Sequence, residues 1–157
     1  MAEVFFYHLT ERALEAALVP LLLRSLERGW RVLLRGRDRA RLEWLDEHLW
    51  VATGEIFLPH GLAGGPHDQL QPVLLTPESE GRPNRAEVLI SIDGAPLAPD
   101  ELAACSRGMV LFDGNDPDAV AHARGQWKAL ADAGLALVYW AEEAGRWQRK
   151  AESGRHG

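Results

Sequence analysis

The sequence contains few residues whose types and spacing suggest a catalytic or ligand-binding site. Each candidate motif lacks at least one residue that its chemistry requires. Residues 61–65, Gly-Leu-Ala-Gly-Gly, have the composition of a phosphate-binding loop, but no Lys-Ser or Lys-Thr pair ends this segment and no helical pattern follows it directly. The turn at residues 9–12, after the first predicted strand, lacks the glycines that let a backbone approach pyrophosphate. The sequence therefore disfavours a nucleotide site at both positions.

Metal-binding and nucleophilic patterns are also incomplete. Residues 113–116 suggest a calcium loop, yet a glycine is missing at the sixth position and Arg124 stands where a bidentate glutamate is needed. His60 and His67 have no third zinc ligand at a suitable spacing. Cys105 belongs to no recognisable nucleophile motif, and no Gly-x-Ser-x-Gly occurs. We expect no metal site, no cofactor and no catalytic group.

Composition narrows the class of protein. The 157 residues are 46% hydrophobic, which is enough to form the core of one domain. A formal charge of -6 argues against a protein whose main task is to neutralise nucleic-acid phosphates. A lone cysteine and the absence of a signal-peptide pattern in residues 1–4 predict a reducing, cytoplasmic location. The most hydrophobic run, residues 16–23, is too short for a membrane span and is expected to be a core helix.

The first half of the chain has the pattern of two strand–helix units. Residues 4–8 are rich in β-formers and precede a helical pattern at residues 11–28, for which Thr10 is the expected N-cap. Pro20 lies inside this pattern and predicts a kink or a restart of the helix. A second strand at residues 30–34 precedes a helix that Asp38 caps and that runs to about residue 50.

The second half adds strands and one long helix. Asp116 and Pro117 predict the start of that helix, which runs to about residue 133 and ends at Gly134. About six strands are expected in total, the later ones at residues 72–75, 86–92, 109–112 and 135–140.

This order predicts an α/β fold with a Rossmann-like, mostly parallel central sheet flanked by helices, without a dinucleotide-binding fingerprint. We expect a single domain at residues 1–141, followed by a polar, mobile tail at residues 142–157.

Two long motifs resemble a known family. Residues 41–50 contain the pattern Leu-Asp-Glu-x-Leu-Trp, and residues 57–64 contain Phe-x-Pro-His-x-Leu-Ala-Gly. Both resemble the chi subunit family of bacterial DNA polymerase III. Further segments follow in the family's order from about residue 4 to residue 140, at residues 6–9, 87–91, 110–113, 124–128 and 133–134.

The resemblance implies a non-catalytic adaptor with two partners. Members of the family pair with the psi subunit of the clamp loader on one surface and hold the acidic C-terminal tail of single-stranded DNA-binding protein on another. No cofactor is implied, and the link to nucleic acid is expected to be indirect.

The expected site for the acidic tail comprises Arg124, Trp127 and Lys128. In the last predicted helix, Val120, Ala123, Trp127 and Leu130 form an apolar stripe, which the two cations border. Cations bind a terminal carboxylate, and an aromatic wall covers the apolar side chain beside it. An amphipathic helix with solvated charges is the alternative. The family has tyrosine where this chain has Trp127, and a basic residue can occur where it has Val120.

The expected psi-binding patch comprises Trp50, Phe57, Leu58 and Pro59. Such a short apolar cluster beside a glycine-rich loop can anchor a partner. The alternative is that Trp50 and Phe57 close the hydrophobic core under the loop.

Two other functions remain open from the sequence. One is a nucleotide-dependent α/β enzyme, in which His60, Asp113 and the glycine-rich loop would lie at a strand-end crevice. The other is a direct nucleic-acid-binding protein that uses the arginines of residues 24–41. Acidic residues interrupt this cluster, so solvated helix surfaces explain it more simply.

Overall fold

The computed structural model describes residues 3–52, 59–77 and 82–154, the side chains of residues 50–52 excepted. Its α-helices are α1 (Leu14–Glu27), α2 (Arg39–Ala52), α3 (Pro99–Ala103) and α4 (Pro117–Asp132). A single 3₁₀ turn occupies Asp68–Leu70. The strands are β1 (Glu3–Leu9), β2 (Val32–Gly36), β3 (Gly61–Leu62), β4 (Val73–Pro77), β5 (Val88–Ser91), β6 (Arg107–Asp113), β7 (Ala136–Glu143) and β8 (Arg146–Ser153).

These strands form one sheet in the order β3-β4-β2-β5-β6-β1-β7-β8. Every neighbouring pair is parallel except β7 and β8, which form an antiparallel hairpin. The prediction of a mostly parallel, Rossmann-like sheet is confirmed. The number of strands is larger than the six expected, because β3 and β8 carry no hydrophobic strand pattern.

Helices cover both faces of the sheet, and each face has its own hydrophobic core. On one face, α1 and α2 pack their leucines on alternate strand residues such as Leu34 and Ile90. On the other face, α3 and α4 pack on the intervening strand residues, such as Leu33 and Leu89. The central strands are therefore buried on both sides, which explains why they read as continuous apolar runs.

Two of the predicted helix caps are confirmed. Asp38 accepts a hydrogen bond from the backbone N–H of Ala40 (3.1 Å), and Asp116 accepts one from that of Asp118 (3.0 Å). None of the helices in the described ranges is long and apolar enough to span a bilayer.

The predicted start of the first helix is wrong. Helix α1 begins at Leu14 with Ala13 as its N-cap, and no side chain caps it. Thr10 lies in the turn before Ala13, where its backbone N–H and hydroxyl donate hydrogen bonds to Glu142. The helix continues without interruption through Pro20, so it does not restart.

The predicted mobile tail is also wrong over most of its length. Glu142 and Glu143 complete β7, and residues 146–153 form β8. Ala144 (φ 51°) and Gly145 (φ 75°) connect them with the two positive φ angles that a tight hairpin needs. The strand is polar because it lies at the edge of the sheet, where most of its side chains face solvent.

Candidate functional site

Helix α4 is the element that presents the predicted tail-binding residues. It lies on β6 and β7, and its apolar stripe faces the sheet as expected. Ala123 and Leu130 are buried, whereas Val120 and Trp127 are half-buried. Trp127 therefore contributes to the core and also reaches the surface.

An aromatic wall extends from Trp127 onto the sheet. The indole ring packs edge-on against Phe6 (5.2 Å between centroids) and Tyr139 (5.8 Å). Tyr139 also contacts Phe112 at 5.9 Å, and its hydroxyl is hydrogen-bonded to Nδ1 of His8 at 2.7 Å. Tyr139 thus lies beside Trp127, and its hydroxyl is held by His8. Sequence reasoning missed Tyr139 and His8, since only pairing of β1 with β7 brings them together.

Two cations flank Trp127 in the sequence of α4. Arg124 and Lys128 are exposed and one turn apart on α4, and neither forms an ion pair with any residue in the described ranges. Burial raises the pKa of Tyr139, and the positive charge of Arg124 opposes this shift. The charge of Arg124 therefore acts on Tyr139, and the guanidinium itself is exposed.

The arrangement on α4 suits a short anionic peptide with an apolar side chain. Guanidinium and ammonium groups bind carboxylates by charge-assisted hydrogen bonds. Trp127 and Tyr139 offer ring surface to the neighbouring side chain. We call Arg124, Trp127, Lys128 and Tyr139 the α4 site.

The predicted psi-binding patch lies mostly outside the described residues. Phe57 and Leu58 fall in the undescribed range, as does the side chain of Trp50, whose backbone belongs to α2. Pro59 is described and half-buried. The patch therefore stays a prediction.

Two backbone amides of the glycine-rich loop are hydrogen-bonded to a nearby carboxylate of the chain. The carboxylate of Asp68 accepts hydrogen bonds from the N–H groups of Gly64 (2.9 Å) and Gly65 (3.1 Å). His60 is buried, and its Nε2 lies 3.1 Å from the carbonyl oxygen and 3.2 Å from the carboxylate of Asp46. No group of three metal-binding side chains exists among the residues that the structure describes. These contacts give the loop and His60 a structural role.

A carboxylate of the chain itself occupies the place where a dinucleotide fold binds phosphate. Oε1 of Glu142 accepts hydrogen bonds from the backbone N–H groups of Thr10, Glu11 and Arg12 (3.2 to 3.4 Å). Its Oε2 accepts one from Nε of Arg12 at 2.8 Å. A crevice of about 880 Å³ lies next to this turn. A phosphate bound there would have to displace Glu142, so the contacts disfavour a nucleotide-dependent enzyme.

Several arginines of residues 24–41 form ion pairs with different acidic residues of the chain. Three ion pairs join Arg35 to Glu101 (2.6 Å), Arg39 to Glu43 (3.5 Å) and Arg41 to Asp93 (3.2 Å). Arg35 is buried, and its guanidinium binds both carboxylate oxygens of Glu101. This distribution disfavours a continuous nucleic-acid-binding surface built from the cluster.

Comparison with known proteins agrees with the motifs. Residues 1–138 match the family described as DNA polymerase III chi subunit, HolC. A similar curated protein is the "Probable DNA polymerase III subunit chi" of Rickettsia prowazekii (strain Madrid E), which is 26% identical over 98 residues. That similarity covers 62% of this chain and 59% of the length of the Rickettsia protein. Because the family match covers most of the sequence, the chain belongs to the DNA polymerase III chi subunit family.

Proposed function

We propose that this chi-family chain is a non-catalytic accessory subunit that bridges two partners during DNA replication. One partner is the psi subunit of the clamp loader, and the other is the acidic C-terminal tail of single-stranded DNA-binding protein. The α4 site carries the proposal, because it combines a half-buried aromatic wall with two exposed cations that form no ion pair within the described part of the chain.

The tail is expected to bind through its last residue. Its terminal carboxylate accepts hydrogen bonds from Lys128 and Arg124, and the apolar side chain of that residue packs against Trp127. The positive charges of Arg124 and Lys128 also attract the acidic residues that precede the last residue of the tail. Since Val120 stands where relatives can carry a basic residue, binding depends on Arg124 and Lys128.

The psi subunit is expected to bind a different element. Trp50 lies in the last turn of α2, and the other three predicted residues, Phe57, Leu58 and Pro59, come after α2 in the sequence. Helix α2 packs on the face of the sheet opposite to α4. Because the two sets of residues belong to different segments of the chain, both partners can be held at once, as a bridge requires.

A capture experiment tests the bridge. Immobilised tail peptide should retain the chain, and the loaded chain should then retain purified psi subunit. Lys128→Ala should reduce the first step, whereas Phe57→Ala should reduce only the second. Lys150→Ala is the matched control for charge, because Lys150 lies on β8 and pairs with Glu143. If psi displaces the chain from the peptide, the two partners compete and the bridging function is wrong.

A further inference from the structure

A second cavity lies on the face of the sheet opposite to α4. It has a volume of about 320 Å³ and is bounded by the C-terminal half of α1 and by the β7–β8 hairpin. Phe5 and Tyr7 of β1 line it together with Trp30, Trp140 and Trp147. Trp147 packs edge-on against Tyr7 (5.1 Å between centroids), and Trp140 against Phe5 (6.3 Å). The cavity is therefore aromatic on several sides.

Every charged side chain that lines this cavity in the described part of the chain is an arginine. Arg24 and Arg28 come from exposed positions of α1 and its C-cap, and Arg107 comes from β6. Glu3 lies opposite Arg107 on β1 and offsets part of its charge. The lining keeps a net positive charge in a chain whose total charge is -6.

The arginines are stacked on the aromatic rings. The guanidinium carbon of Arg107 lies 4.3 Å from the ring centroid of Phe5, and that of Arg28 lies 4.9 Å from the ring of Trp30. A guanidinium stacked in this way keeps its N–H groups free in the plane at its edge, where they can bind a carboxylate.

Two residues that line this cavity carry a buried donor without a partner. Nε of Arg107 and Nε1 of Trp140 are buried and form no hydrogen bond with any residue that the structure describes. Burial also lowers the pKa of Arg107, because its charge is poorly solvated. Unpartnered buried donors are costly, so the packing around Arg107 and Trp140 is under strain beside the cavity.

We propose that this cavity, which we call the α1–hairpin cavity, binds an acidic segment of a partner protein. An apolar side chain of the segment occupies the space beside Phe5 and Trp140, and neighbouring carboxylates bind Arg24, Arg28 and Arg107. Trp, Tyr and Arg are the residues most enriched at binding hot spots. The cavity accepts one large side chain, and the net charge of the chain opposes a long polyanion, so both features favour a peptide over nucleic acid.

A fluorescent peptide tests this site apart from the α4 site. The probe is a fluorescein-labelled hexapeptide, Asp-Glu-Asp-Glu-Asp-Phe, amidated at its C-terminus, and the chain carries Lys128→Glu so that the α4 site is disabled. Fluorescence anisotropy should detect binding to this variant. Adding Arg28→Glu or Arg24→Glu should weaken binding about tenfold, since each replaces an attractive charge by a repulsive one.

Arg146→Glu is the matched control, because Arg146 is exposed on β8 and does not line the cavity. It should change the affinity by no more than about twofold relative to Lys128→Glu alone, because a charge outside the cavity acts only at long range. Replacing the Phe of the peptide by Gly should weaken binding. The proposal is overturned if the peptide does not bind, if both arginine variants bind like the control, or if a short oligothymidylate binds and the peptide does not.

Discussion

Replacing Glu142 by glutamine tests how the β1–α1 turn is held. The side chain is 1% exposed and accepts one hydrogen bond from Arg12 at 2.8 Å, besides those from three backbone amides. In Glu142→Gln one acceptor oxygen becomes an NH₂ group, which faces a donor in either orientation of the amide, and the charge that attracts Arg12 is lost. A hydrogen bond to a charged group contributes about 1.5 to 3 kcal/mol, so we expect a loss of about 2 kcal/mol at neutral pH.

The effect of this substitution should depend on pH. Burial raises the pKa of Glu142, but the hydrogen bonds from Arg12 and the amides of residues 10–12 lower it more, so it lies below its ordinary value. A carboxylate whose folded pKa is depressed stabilises the fold above the unfolded pKa of about 4.3, and this contribution is lost as pH falls through the folded pKa. The difference between parent and variant should therefore be largest near pH 7 and shrink below about pH 4.

Urea unfolding followed by tryptophan fluorescence at pH 7 and at pH 3.5 measures both effects. Glu143→Gln is the matched control, because Glu143 is adjacent and exposed and pairs only with Lys150 among the described residues. It should change stability by less than about 0.5 kcal/mol, as expected for a surface ion pair. Glu142 does not hold the turn in this way if both variants have the same stability at pH 7, or if the loss for Glu142→Gln is the same at both pH values.

The remaining predictions concern packing and backbone. Ala144→Gly should raise the free energy of unfolding by about 1 kcal/mol, because residue 144 has a φ of 51° that alanine adopts at a cost; chemical denaturation measures this. Gly114→Ala should lower it by about 1 to 3 kcal/mol, since the new Cβ would collide with His8 and lie 2.9 Å from the carbonyl oxygen of Leu9. Trp127→Ala should lower both stability and peptide affinity, with the salt dependence of binding unchanged, as parallel denaturation and titration would show.

The parts of the fold that the sequence predicts are those with local causes. Asp116 and Pro117 mark the start of α4 by capping chemistry alone, and Gly134 (φ 86°) ends it where a left-handed residue is needed. The apolar stripe that ends in Trp127 follows from helical periodicity.

What could not be predicted depends on contacts between distant residues. Strand β8 is polar, and it is a strand because it pairs with β7. Its composition without this pairing is typical of a mobile tail. Thr10 has the residue type of an N-cap, but it lies in the turn before α1, where it donates hydrogen bonds to Glu142, 132 positions away. Tyr139 belongs to a predicted strand, yet its place beside His8 and Trp127 requires the order of strands in the sheet.

Calorimetric titration of the chain with the acidic tail peptide, as a free acid and as a C-terminal amide, tests whether α4 binds a terminal carboxylate. We expect the parent to bind the free acid, and amidation to weaken binding about tenfold, or about 1.4 kcal/mol. Lys128→Ala should weaken binding of the free acid by a similar amount. Raising the salt concentration should reduce the advantage of the parent over Lys128→Ala. Equal binding of acid and amide to the parent, or undiminished binding of the acid by a folded Lys128→Ala variant, would contradict the proposed carboxylate pocket on α4.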